Sequence, residues 1–210
     1  MSENIAALIL AAGSSSRMGE GRHKLLLPLG EMPVLAHVLM AVRESQARPV
    51  MVVLGYQAEQ IREALKSHVA LDEVTFVENP DYPQGMSTSL RAGLASLQHY
   101  EPVGGAIVLL GDQPLITARL IDDLIAARQA TGSRIIAPLY NGRRGNPVLF
   151  DASLFPELQQ VDGDEGGRSV IERHRQDMAT IEVVQSTARY DVDTWEAYQQ
   201  VVEEWQRQQR

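Results

Sequence analysis

The run Ile5-Ala6-Ala7-Leu8-Ile9-Leu10-Ala11 leads straight into Ala12-Gly13-Ser14-Ser15-Ser16-Arg17-Met18-Gly19, and this junction decides the fold. An unbroken apolar run bounded by small residues reads as a strand covered on both faces, as in a parallel sheet. The glycine and serines that follow end the strand in a turn, where backbone N–H groups can face a ligand with no Cβ in the way. Such a strand opens a βαβ pattern, so strands and helices should alternate from here.

They do. Further strand candidates are Pro49–Leu54, Glu73–Glu78, Ala106–Leu110, Arg134–Leu139, Pro147–Phe150 and Thr180–Gln185. Between them run helical stripes: Val34, Leu35, Val38, Leu39 and Val42; then Leu90, Gly93, Leu94 and Leu97; then Leu120, Ile121, Leu124 and Ile125. Pro33 suits the start of the first helix, and Thr117 suits the N-cap of the third. The pattern predicts an α/β domain with a mostly parallel central sheet and right-handed crossovers. Beyond Tyr140 the rhythm loosens. Asn141, Gly142, Gly145 and Asn146 mark a turn and Asp162–Gly167 a Gly/Asp loop, so this region reads as loops and edge strands completing the same domain, 1–210. The polar end Glu203–Arg210 reads as a fraying helix with no functional role.

The totals narrow the function. At 210 residues, with 44% apolar and 22% charged residues, the chain can bury a full core without staples. Cysteine is absent, which excludes disulfides, thiolate catalysis and Cys-based metal sites. The N-terminus carries Glu3, no basic segment and only a short apolar run, so neither a signal peptide nor a membrane span is expected, and a cytoplasmic location is. A net charge of −8 argues against general nucleic-acid binding, while leaving room for a small anion wherever a few cations converge. None of the five histidines has a metal-ligand spacing; of these, only His23 lies near the glycine loop.

The cations converge at that loop. Arg17 is a planar fork and Lys24 a point charge, both within reach of the turn at Gly13. A P-loop would need Gly-x-x-x-x-Gly-Lys-Ser/Thr, but here five residues separate Gly13 from Gly19 and Glu20 follows. A dinucleotide fingerprint would need Gly-x-Gly-x-x-Gly with an acid closing the second strand. Here three serines follow Gly13, and the second strand ends Leu54-Gly55-Tyr56-Gln57. A plain flexible connection with incidental charges remains open on these residues alone.

Other segments are suggestive by themselves. Asp112 stands at the carboxyl end of an apolar strand, where open α/β sheets bind ligands, and Thr117 already supplies the following cap. Asp191 and Asp193 lie on one face of an extended segment, though Asp193 could instead cap the helix that Thr194 begins. In Asn79-Pro80-Asp81-Tyr82-Pro83-Gln84-Gly85-Met86-Ser87-Thr88-Ser89, the prolines stiffen the loop and Gly85 allows a sharp turn. Ser87 or Ser89 can cap the next helix, and Gln84 can reach a base edge.

Taken in order, Leu10–Gly19 with Lys24-Leu25-Leu26-Leu27-Pro28-Leu29, then Asn79–Gly93, Leu109–Thr117, Gly142–Phe150 with Gly163–Arg168, and Tyr190–Tyr198 resemble the nucleotidyltransferases related to molybdenum-cofactor cytidylyltransferase. The resemblance implies a Rossmann-like, glycosyltransferase-A-type three-layer domain, with a nucleotide-binding part of about 1–115 and an acceptor-side part of about 116–200. It implies that Ala11, Ala12, Gly13 and Ser14 cradle a triphosphate while Arg17 and Lys24 neutralise it. Gln84, Gly85, Ser87 and Ser89 would meet base and ribose. Asp112 and Asp193 would hold Mg²⁺, with Asp191 in support. Arg17, Lys24 and Asp112 would be the catalytic residues. Arg144, Asn146, Asp164, Arg168 and Asp191 fall on the acceptor side. The family commonly has histidine where this chain has Asn146, and proline where it has Trp195.

The implied reaction is attack of an acceptor phosphate on the α-phosphorus of a nucleoside triphosphate, with pyrophosphate leaving. Ala11-Ala12-Gly13 resembles the cytidylyl branch, which points to CTP as donor and molybdopterin as acceptor, with a molybdoenzyme or its chaperone as the recipient. The alternatives are a guanylyltransferase, a sugar- or polyol-phosphate nucleotidyltransferase, a non-catalytic nucleotide sensor and, less well matched, a nicotinamide dehydrogenase.

Overall fold

All seven residues of β1 (Ile5–Ala11) are buried, as the apolar run requires. The computed structural model describes residues 4–19, 22–184 and 186–209. Glu3, Glu20, Gln185 and Arg210, on which parts of the sequence reading fall, lie outside the described residues.

After β1 come a small hairpin, β2 (Pro28–Leu29) and β3 (Met32–Pro33), and then α1 (Val34–Glu44), β4 (Val50–Leu54), α2 (Ala58–Lys66) and β5 (Val74–Glu78). The chain continues through α3 (Met86–Ser96), β6 (Gly105–Leu110), α4 (Ala118–Thr131) and β7 (Ile135–Tyr140). It closes with β8 (Arg143–Arg144), β9 (Val148–Asp151), α5 (Phe155–Leu158), α6 (Arg168–Arg173), β10 (Met178–Glu182) and α7 (Trp195–Gln208). The main sheet runs β10-β7-β9-β6-β1-β4-β5, with β8 paired to β7. Pairings are parallel except those of β9 with β6 and β7 and of β8 with β7. The result is the expected α/β domain with a mostly parallel central sheet.

Alternation along β1 sorts the core into two layers. Ile5, Ala7, Ile9 and Ala11 pack with Leu35 and Leu39 of α1, Ile61 and Leu65 of α2, and Ile121 and Leu124 of α4. Ala6, Leu8 and Leu10 face the other way, toward Leu90 and Leu94 of α3, Leu158 of α5 and Val170 of α6. Burying one leucine side chain stabilises by about 1.5–3 kcal/mol, so this double-sided sandwich is the main source of stability. No helix among the described residues is long and apolar enough to cross a membrane.

Two expectations need correction. The region beyond Tyr140 was expected to give only loops and edge strands, but β9 lies inside the sheet between β6 and β7. Asn141 and Gly142, both with positive φ, turn the chain back through β8, and the return path delivers β9 antiparallel into the gap. The last strand spans Met178–Glu182 rather than 180–185, because its parallel register, from Met178 opposite Ile135 to Glu182 opposite Leu139, follows β7.

Candidate functional site

In the strand order, β1 sits between β4 and β6, so the chain's progression reverses direction at β1. Ligands in open α/β sheets bind outside the carboxyl ends of strands at such a switch point. Here the carboxyl ends of β1 and β6 are pinched together. Gly111 donates its N–H to the Leu10 carbonyl at 2.9 Å, and a Cβ at Gly111 would come within 3.1 Å of the Ala11 side chain.

The loop after β1 is folded by its own short-range bonds. Ser15, in the left-handed region, accepts the Met18 N–H on its carbonyl at 3.0 Å. Its hydroxyl accepts the backbone N–H of Lys24 at 3.1 Å, which draws the loop's two ends together. Met18 anchors it by burial against Leu29, Leu115, Val192 and Tyr198. His23 is buried, accepts the Leu25 N–H through Nδ1, and stacks on Tyr56 with ring centroids 5.7 Å apart. Burial, with Lys24 adding to it against an opposing backbone contact at Tyr56, keeps the His23 pKa below the usual histidine value. Gly13 stands apart: a Cβ there would meet nothing within 4 Å. The protein's own packing gives no reason for that glycine.

Opposite the loop, the segment before α7 is hung on β6's end. Val192 donates its N–H to the Asp112 carbonyl at 2.9 Å, and the Gln113 side chain reaches the Arg189 carbonyl at 3.4 Å. The Thr194 hydroxyl caps α7 by accepting from the Ala197 N–H at 3.2 Å, so Asp193 is not the cap and its carboxylate is free to turn inward. Trp195 opens α7, leaning on Tyr198 at 5.1 Å, and the Arg22 guanidinium lies over its ring at 4.4 Å.

These pieces meet at Lys24. Its ammonium donates to a carboxylate oxygen of Asp112 and, at 2.8 Å, to Asp193 Oδ1. Asp193 Oδ2 pairs with the largely exposed Arg17 at 3.1 Å. Burial works against the charge on Lys24, but Asp112 and then Asp193 outweigh it and raise its pKa. Burial likewise opposes ionisation of Asp193, yet Lys24 and Arg17 hold its pKa below the usual carboxylate range. Among the described residues Asp191 makes no ion pair, and Lys24 pulls on it only weakly. Burial first, and then the charges of Asp193 and Asp112, push its pKa up.

The cleft bounded by these groups has a volume of about 690 Å³ and takes in Leu10–Arg17, Lys24, Tyr82, Gly85, Ser89, Asp112, Asp164, Asp191 and Asp193. Its far wall is the start of α3. The expectation that Ser87 or Ser89 caps this helix is not met. The Gly163 carbonyl accepts the Ser87 N–H at 3.0 Å and the Asp164 carboxylate accepts the Met86 N–H at 3.1 Å, so the cap comes from a distant loop. Ser87 is fully buried, and its hydroxyl has no partner among the described residues. Gln84 is exposed and bonds Asp81 instead of facing the cleft. Arg144 pairs with Glu172, the Asn146 carbonyl accepts from the Tyr140 hydroxyl, and Arg168 is exposed at the head of α6. None of these three lines the cleft.

The oxygen donors present suit a hard divalent cation. Two carboxylates converge on one point, and among the described residues no group of three or more His, Cys, Asp or Glu is placed to hold a metal. Mg²⁺ is usually held by one or two carboxylates with waters and substrate phosphates completing its shell, so the pair fits Mg²⁺ better than a closed all-protein cage would.

The family described as the MobA-like NTP transferase domain matches residues 7–178, and the chain belongs to it. The bifunctional protein GlmU of Cupriavidus pinatubonensis is 34% identical over 172 residues, which is 79% of this chain and 35% of that one. The chain thus spans about a third of the length of that curated relative. Among solved structures, the Mycobacterium tuberculosis Rv0371c homologue from Mycobacterium sp. strain JC1 superposes with a TM-score of 0.83 at 30% identity, covering 99% of this chain and 100% of that one. Rv0371c from Mycobacterium tuberculosis H37Rv, solved in complex with manganese, gives 0.76 at 28% identity, covering 95% and 98%.

Proposed function

We propose that the protein transfers a nucleoside monophosphate from a triphosphate, CTP by preference, to the phosphate of a small acceptor of the molybdopterin class, releasing pyrophosphate. The observation that carries this reading is the Lys24 ammonium shared by the Asp112 and Asp193 carboxylates at the mouth of the glycine turn. In the reading, 1–115 binds the nucleotide and 116–200 serves the acceptor. Backbone N–H groups from Ala12 to Ser14 receive the triphosphate in the open space beside Gly13. Arg17 and Lys24 turn from the carboxylates to the phosphates and stabilise the charge that develops on the leaving pyrophosphate. Asp112 and Asp193 would hold Mg²⁺, which supplies charge neutralisation at the reacting phosphates when bound. The acceptor phosphate is already ionised at neutral pH, so no side chain has to remove a proton. Positioning and electrostatics are enough for such chemistry.

One observation favours a second reading, a sugar-phosphate acceptor. Arg144 and Arg168 do not line the cleft, whereas Asp164 and Asp191 do, and carboxylates accept hydrogen bonds from hydroxyls. The relationship to GlmU points the same way. Pyrophosphate release, measured with each of the four triphosphates and Mg²⁺ against molybdopterin and a panel of sugar phosphates, separates the two. Turnover with CTP and molybdopterin supports the first reading. Turnover with a sugar phosphate alone selects the second, and no release with any pair overturns both.

A further inference from the structure

We propose that Asn79 is a positioning residue: it turns the hydroxyl of Ser89, which the family resemblance already places beside base and ribose, into a dedicated hydrogen-bond donor facing the cleft. The inference rests on the triphosphate reading of the cleft.

Asn79 follows β5 directly, is 4% exposed, and is pinned by its own N–H to the Leu54 carbonyl at 2.8 Å. Its side chain makes three bonds. Oδ1 accepts the backbone N–H of Asp81 at 3.0 Å, while Nδ2 donates to Thr88 Oγ1 at 2.8 Å and to Ser89 Oγ at 3.0 Å. The Asp81 N–H can only donate, so the carbonyl end of the amide must face it and the NH₂ end must face the two hydroxyls. Both amide protons are therefore spent on oxygen lone pairs.

The two hydroxyls then differ in what remains to them. Thr88 Oγ1 lies 2.9 Å from the Gly85 carbonyl and 3.1 Å from the Asp81 carbonyl, so its proton has protein acceptors. Ser89 accepts from Asn79 and makes no other hydrogen bond among the described residues. The carbonyl one turn back, where a helical serine would normally send its proton, is that of Gly85, which already accepts from the Thr88 N–H at 3.2 Å and from its hydroxyl. Ser89 is 4% exposed and lines the cleft. A nearly buried hydroxyl with its lone pair engaged and its proton unspent is a donor awaiting an acceptor, and a nucleobase carbonyl or a ribose oxygen supplies one.

The test compares Ser89→Ala, Asn79→Asp and the double variant in the full-length protein. Readouts are kcat and nucleotide KM in the pyrophosphate-release assay, and calorimetric binding of the preferred triphosphate. An aspartate at 79 has no proton to give, so Ser89 must donate to it and turn away from the cleft. Losing one neutral hydrogen bond is worth about 0.5–1.5 kcal/mol, so each single variant should bind the nucleotide about 3- to 10-fold more weakly with kcat changed less than about twofold. The double variant should be no weaker than either single one. A purely structural Asn79 would instead lower the melting temperature and leave the Ser89→Ala effect intact in its background, so multiplying effects overturn the inference. So does unchanged nucleotide affinity in Ser89→Ala, a result that stands even where Asn79→Asp fails to fold. Failure of the wild-type protein to bind any of the four triphosphates overturns the nucleotide reading itself.

Discussion

The Lys24 ammonium lies 2.8 Å from the Asp193 carboxylate although the two stand 169 positions apart in the sequence. Nothing local brings them together. Lys24 is held by the fold of the loop after β1, through the Ser15 hydroxyl, and Asp193 by a segment pinned to the Asp112 carbonyl. Asp112 itself lies two residues beyond the end of β6, the strand next to β1 in the sheet. The geometry of the ion cluster is therefore a property of the assembled sheet, and its members should be separable by mutation.

Asp112→Ala should abolish turnover and leave the fold intact, because Asp112 sits at a strand's end and Lys24 keeps Asp193 as its partner. Pyrophosphate release below a tenth of the wild-type rate, with an unchanged circular-dichroism spectrum, is the expected outcome. A rate above a tenth would remove Asp112 from the metal role.

Lys24→Met should slow turnover at least tenfold, as loss of a charge stabiliser does. It should also change the nucleotide-free protein. Without the ammonium, the Asp112 and Asp193 carboxylates that converge on it lose their shared cation, Asp193 keeps Arg17, and a divalent cation can take the vacated position. The melting temperature of the variant should then rise with added Mg²⁺ or Mn²⁺ more than that of the wild type. Equal responses would show that the two carboxylates do not form a cation site.

Much of this was legible in the sequence where one contiguous segment carries the signal. The buried β1, the small-residue turn and the acid at the end of β6 follow from patterns no longer than a strand and its loop. Thr117 is a visible cap for the same reason, whereas the sequence left Asp193 as the alternative cap of the last helix and the structure gives that role to Thr194. What could not be read depends on long-range pairing. The insertion of β9 between β6 and β7 is decided by hydrogen bonding across the sheet, and its four residues look like any short strand. The cap of α3 comes from Gly163 and Asp164, which announce only a turn. Asn79 gave no sign of its role, since its partners Thr88 and Ser89 lie on a helix that periodicity alone orients only roughly.

Asp151 offers a pH-dependent test away from the cleft. At the end of β9 it accepts from Arg128 at 2.6 Å and from the Ser153 N–H at 3.0 Å and hydroxyl at 2.7 Å. Burial pushes its pKa up, but the Ser153 and Arg128 contacts outweigh that and depress it. A carboxylate whose folded pKa lies below its unfolded one adds stability above the unfolded value, and that stability is lost as the pH falls through the folded one. Asp151→Asn should therefore cost about 0.5–1.5 kcal/mol at pH 7, allowing for solvent screening of a partly exposed pair. The difference from wild type should shrink as the pH is lowered below about 4. Urea denaturation at a series of pH values checks both, and a gap that widens in acid would contradict the assignment.

Gly85 and Gly13 make the sharpest pair of substitutions, because the two glycines exist for different reasons. Gly85 has φ +114°, and a Cβ there would lie 2.5 Å from the Gly163 backbone, where the distant loop caps α3. Gly85→Ala must strain the turn or push the Gly163–Asp164 loop away, so it should destabilise by about 1–3 kcal/mol and weaken nucleotide binding along with it. Gly13 has neither a positive φ nor any atom within 4 Å of an added Cβ. Gly13→Ala should then leave stability within about 0.5 kcal/mol of wild type while raising the nucleotide KM, since the methyl group enters the space in which the phosphates are proposed to sit. Denaturation curves and nucleotide titrations on both variants decide the matter. If Gly13→Ala binds the triphosphate as tightly as wild type, the phosphates do not lie against that turn.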